Sequence, residues 1–144
     1  MKLHNTKLIS LLVIILLISV IVGHFLPPTG ISLIPLIVTL MTGLIIFTNN
    51  DLSILLKSIL TYLFIGLNDI GIKLFSGGIH DTEGMGWIHM LLFIGLVPCF
   101  IMLIIGVLRD KGSAILIKVL SVLLFILLIF VHLQIFETLG VQEN

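Results

Sequence analysis

Residues 52–75 read LSILLKSILTYLFIGLNDIGIKLF, and the path of this stretch sets how often the chain crosses a bilayer and where its C-terminus lies. A membrane helix needs about 20 mostly apolar residues to cover about 30 Å of hydrocarbon. The stretch has that length, yet it contains Lys57, Asn68, Asp69 and Lys73. Its alternative is a helix lying in the membrane interface, which would leave four spans and move the C-terminus to the other side.

Four further stretches flank it. Residues 8–26 and 31–48 precede it, and 88–108 and 114–136 follow, each long enough and apolar enough to span. The reading is an all-α integral membrane protein, one transmembrane domain over residues 1–144, with a five-helix bundle and an outward loop at 76–87. The first span starts with a basic segment, but its apolar run is longer than a signal-peptide core and lacks a small-residue cleavage site, so it reads as a retained anchor. Pro27-Pro28-Thr29-Gly30 reads as a tight turn between the first two spans. Asp51 is expected to cap the third helix.

Composition agrees. Of the 144 residues, 59% are hydrophobic and 10% charged, and the mean hydropathy is +1.37, whereas soluble domains carry about 25% charged residues. Seven basic residues balance seven acidic ones, so net charge carries no signature of a nucleic-acid partner. The single cysteine, Cys99, excludes an intramolecular disulfide and reads as a small buried helix residue.

Orientation comes from the basic residues, which are retained on the cytoplasmic side. With five spans and a cytoplasmic N-terminus, Lys2, Lys7, Lys57, Arg109, Lys111 and Lys118 lie at or near cytoplasmic ends, and only Lys73 at an outer one. The C-terminus is then outside, and Phe75 and Trp87 fall where an outer aromatic belt belongs. Abundant Ile, Leu, Lys and Asn point to an AT-rich bacterial genome, hence to a cytoplasmic (inner) membrane with the 76–87 loop facing the periplasm or exterior.

The scarce polar groups then gather on the outer side. At 1.5 Å per residue, His24, Asp69 and His132 each lie about 24 to 27 Å from the inner start of their helices. An ionisable group within a span costs roughly 2.5 to 3.5 kcal/mol unless paired or facing water. Lys73, four residues after Asp69, supplies an i,i+4 partner in the favoured order. The functional alternative makes Asp69 a general base or proton carrier, assisted by Asn68 and Lys73 as substrate-binding groups. The loop adds His80, Asp81 and Glu83, and His89 follows it. Imidazoles and carboxylates together suit a divalent metal such as zinc, with His24, His80, His89 and His132 as ligands, Glu83 as a second catalytic acid and Asp81 as a substrate contact. No H-E-x-x-H spacing supports that set. His24 and His132 at equal depth also meet the minimum geometry for bis-histidine haem.

No nucleotide-binding, hydrolase or dithiol motif is present in the sequence. Three functions follow. The first is a small subunit or assembly partner of a membrane complex, contacting lipid and other membrane subunits or further copies of itself. The second is an outward His/carboxylate site that binds a divalent metal and acts on a lipid headgroup or other amphiphile. The third is ion or proton translocation through an oligomer, with Lys57 and Asp69 at opposite mouths.

Overall fold

The computed structural model describes residues 4–48, 51–77 and 82–141. Among these the chain is helical throughout, with α1 (Asn5–Phe25), α2 (Pro27–Ser32), α3 (Ile34–Phe47), α4 (Ile54–Phe75), α5 (Thr82–Arg109) and α6 (Ile115–Ile135). Four of them, α1, α4, α5 and α6, are long and apolar enough to cross a membrane.

The 52–75 stretch is the central helix. α4 packs against α1, α3, α5 and α6 and runs alongside α1 and α6, since Val20 meets Gly71, Ile72 meets Gly23, and Ser58 bonds the Ser121 carbonyl. Half of its most apolar window is buried inside the protein. Asn68, Asp69 and Lys73 are buried and face protein, which is how a membrane bundle accommodates such groups. Ser53, not Asp51, is its N-cap, its Oγ accepting from the Leu56 amide at 3.3 Å. Three residues separate that hydroxyl from the amide it serves, a reach that Asp51 lacks.

The short helix is the second one. α3 has 14 residues, about 21 Å at 1.5 Å per residue and less than the hydrocarbon thickness. The six residues of α2 precede it, and Leu33 between them keeps right-handed helical dihedrals. The break lies where Pro35 has no N–H to donate, so the helix is interrupted but not reversed. Pro27-Pro28-Thr29-Gly30, expected as a turn, is instead the first turn of α2, because proline fits the opening positions of a helix. The reversal is left to Leu26. Gly30 lies against the Gly23 backbone so closely that a methyl group there would collide with it.

The expected 76–87 loop is also shorter than the sequence implied, since α5 begins at Thr82. Gly84 and Gly86 read as loop residues, yet burial of Met85 and Ile88 draws the segment into the helix. Each glycine costs about 1 kcal/mol there, less than the burial of one large apolar side chain contributes. Trp87 and Phe75 are exposed, as a belt position requires.

Because lipid is as apolar as the side chains, interhelical attachment rests on close packing and hydrogen bonds. Gly95 accepts Val38 and Pro35 of α3, and Gly106 accepts Ile46. Thr42 Oγ1 bonds the Val38 carbonyl at 2.8 Å and Cys99 Sγ at 3.1 Å, which joins α3 to the fully buried cysteine of α5. By contrast α5 and α6 scarcely touch. Their separation opens the cleft described next.

Candidate functional site: a buried ion cluster beside an open cleft

Helical spacing puts Tyr62, Gly66, Asp69 and Lys73 on one stripe of α4, and that stripe faces α6. On α6 the buried residues are Ser121, Phe125 and His132. Ser58 precedes Asp69 by 11 residues and Ser121 precedes His132 by 11, about three turns in each helix. Two parallel helices can thus join at both levels. At the first, Ser58 Oγ donates to the Ser121 carbonyl at 2.6 Å.

At the second level, Asp69 Oδ2 accepts from Lys73 Nζ at 2.7 Å and from His132 Nε2 at 3.0 Å. Lys73 Nζ also donates to the Phe136 carbonyl at 2.9 Å, one of those left open where α6 ends. Lys73 is 0% exposed, Asp69 1% and His132 2%. The His132 ring lies over Gly66, edge-on to Tyr62 and against Phe136, with centroids 6.0 and 4.8 Å away. A carboxylate that accepts at Oδ2 from the ring requires a proton on Nε2 of His132.

Beyond α6 the chain folds back. Gly140, at φ +87°, packs against the Lys73 carbonyl and beside Met85, so the segment after α6 lies against the end of α4. The positive φ and the close approach both call for glycine.

Behind the cluster, α5 and α6 enclose a cleft with two connected parts. An apolar groove of about 270 Å³ is lined by Leu96, Phe100, Phe125, Ile126 and Ile129, together with Phe130 and Leu133. The last two also line a cavity of about 480 Å³ with His89, Phe93, Gln134 and Glu137. His89 Nε2 is buried there without a hydrogen-bond partner among the described residues, and its ring is within electrostatic reach of Lys73, Asp69, Glu137 and His132. Leaving such an atom unpaired costs about 1 to 3 kcal/mol.

The structure thus brings together Asp69, Lys73 and His132 and sets His89 and Glu137 nearby, but it separates the other candidates. His24 is exposed and its Nδ1 donates to the Phe75 carbonyl at 2.8 Å, capping α4. With its ring on that carbonyl and His132 bonded to Asp69, the two do not form a haem pair. Glu83 is exposed in the first turn of α5, where the helix dipole favours a carboxylate, and no bond joins it to Asp69. Asn68, about 100° around α4 from Asp69, is fully buried with both amide atoms unpartnered, so it does not assist the carboxylate. His80 and Asp81 lie outside the described residues. Among the described residues no three His, Cys, Asp or Glu side chains converge as a metal site would require. Sequence reasoning missed Ser58 and Ser121, and the matched 11-residue spacing on two helices of the same direction was the signal that could have found them.

No family model, no curated protein and no solved structure matches the chain.

Removing one partner of the cluster strands the other charge, which costs about 3 to 5 kcal/mol. Asp69→Leu and Lys73→Leu are each expected to lose about that much in SDS–mixed-micelle unfolding. The double variant is expected to be more stable than either single one, because an apolar pair leaves no buried charge. Additive losses would show that the two residues act independently.

Proposed function

We propose that this protein is a five-pass protein of a bacterial cytoplasmic membrane that holds an amphiphile in the cleft between α5 and α6. In this reading α2 and α3 together make the second crossing, the N-terminus is cytoplasmic, and the His132 end of the bundle lies towards the outer side. Support for the orientation comes from Lys7, Lys57, Arg109, Lys111 and Lys118, which belong to the opposite end.

One observation carries the amphiphile reading: the cleft changes polarity along its length. Its inner part is wholly apolar and rich in phenylalanine, and its outer part ends on His89, Gln134 and Glu137. An acyl chain suits the first part. A head that supplies both a hydrogen-bond donor and an acceptor suits the second, where the imidazole nitrogen lacks a partner among the described residues. A transmembrane helix of a partner subunit would meet the groove equally well but would leave three polar side chains facing hydrocarbon. The amphiphile reading is therefore placed ahead of the subunit reading. A metal does not enter it, since among the described residues no three His, Cys, Asp or Glu side chains converge.

The buried cluster has a positioning role. By fixing α6 to α4, it holds α6 away from α5 and keeps the cleft open. In this reading Asp69 positions α6: its Oδ2 accepts two hydrogen bonds, and its Oδ1, which has no partner among the described residues, is buried.

The orientation is tested by Thr6→Cys and Thr138→Cys, each in a Cys99→Ala background. An impermeant maleimide is expected to label them from opposite sides of the membrane, and labelling from one side would contradict five passes. The cleft is tested with a lipid carrying a diazirine in its acyl chain. Adducts are expected to concentrate on Leu96, Phe100, Ile126 and Ile129, and Leu133→Trp, which fills the groove, should reduce them about tenfold, the equivalent of about 1.4 kcal/mol. Adducts spread evenly over Ile14, Leu17, Leu36 and the cleft would sink the proposal, and a protein crosslinked through the cleft would establish the subunit reading instead.

A further inference from the structure

The opposite end of the bundle holds a second cavity with a different chemistry. It has a volume of about 410 Å³ and lies where the end of α3, the start of α4 and the end of α5 meet. Its polar lining is Ser53, Lys57, Arg109, Asp110 and Ser113, set against an apolar wall that includes Ile46 and Ile54.

Almost every polar group available there is a donor or a positive charge. Lys57 is half-buried, and among the described residues its ammonium makes one bond, at 3.3 Å to the Ile46 carbonyl, although an ammonium has three donors. Arg109 is exposed and adds a planar fork of five N–H groups that suits tetrahedral oxyanions. Ser53 caps α4, and the first amides of that helix, with the positive end of its dipole, point into the same region. Asp110 is the one acid of the lining: its Oδ1 accepts from the Gly112 amide at 3.0 Å, and its Oδ2 has no hydrogen-bond partner among the described residues. Bonds from Ser113 and Gly112 hold its carboxyl below the usual carboxylate range. One acid among two bases leaves the cavity with a net positive charge.

We propose that this cavity is a binding site for a phosphate group, either a phosphate mono- or diester on a lipid head in the adjoining leaflet or free phosphate. A tetrahedral oxyanion presents acceptors in several directions, and ammonium, guanidinium and hydroxyl donors meet it here from three segments of the chain. The apolar wall beside them suits the glycerol and first methylenes of a lipid. The site does not depend on the amphiphile cleft, since it lies at the other end of the bundle.

The test uses the full chain purified in a neutral detergent, probed by native mass spectrometry with phosphatidic acid, phosphatidylglycerol and phosphatidylcholine, and by thermal shift with inorganic phosphate. The expected result is retention of the anionic lipids about tenfold above phosphatidylcholine, and a similar loss of that preference in Lys57→Gln/Arg109→Gln. Lys57→Arg should keep it and shows that the fold tolerates change at that position. Lys111→Gln, which alters a basic residue outside the cavity, should leave it unchanged. Stabilisation by inorganic phosphate as well assigns a site for the free anion, and a lipid response alone assigns the headgroup. A wild-type chain without preference, or an equal loss in Lys111→Gln, would overturn the proposal, because general attraction to a negative surface would then suffice.

Discussion

A buried carboxylate must be matched, and in this bundle the match determines where the last helix goes. Asp69 lies deep in α4 with 1% of its surface exposed. Lys73 answers it from the same helix, but an ammonium has more donors than one carboxylate oxygen uses. The remaining donors reach for α6, where the Phe136 carbonyl is free to accept, and the carboxylate reaches for His132 on that same helix. Since α6 buries little else, its attachment to α4 rests on this cluster and on Ser58 and Ser121 three turns below. The gap between α5 and α6 follows from that arrangement.

Much of this was legible in the sequence, in proportion to how local the cause was. The spans follow from runs of apolar residues. The Asp69–Lys73 pair follows from i,i+4 spacing on one helix, and the buried state of Cys99 from its apolar neighbours. The start of α5 was misread because glycine signals a loop only where nothing stronger opposes it, and Met85 and Ile88 do oppose it by burial. Pro27 and Pro28 were misread as a turn because proline both ends helices and begins them. The choice between these depends on whether Gly30 finds a surface to pack on.

The site was legible only in part because its geometry is interhelical. Equal depth put Asp69 and His132 at one level, and seven histidines and carboxylates on that side resembled a metal centre. Depth fixes only one coordinate. Rotation about each helix axis turns His24 to the α4 terminus, Asn68 into the core and Glu83 to the surface, and those rotations are set by packing against other helices. The two ends of the molecule consequently differ in chemistry. At the Lys57 end, positive groups border an open cavity, whereas at the His132 end the charges cancel in a buried cluster, and the neighbouring cleft runs from phenylalanines to a few polar side chains.

The direct measurement of the cluster is solid-state NMR on the chain in lipid, with dipolar recoupling between the Asp69 carboxyl carbon and the Lys73 and His132 side-chain nitrogens. Both nitrogens are expected to couple to that carbon, with His132 protonated at Nε2. A Lys73 ammonium that exchanges freely with water and shows no coupling to Asp69, together with a His132 ring bare at Nε2, would contradict the buried cluster and the placement of α6 that rests on it.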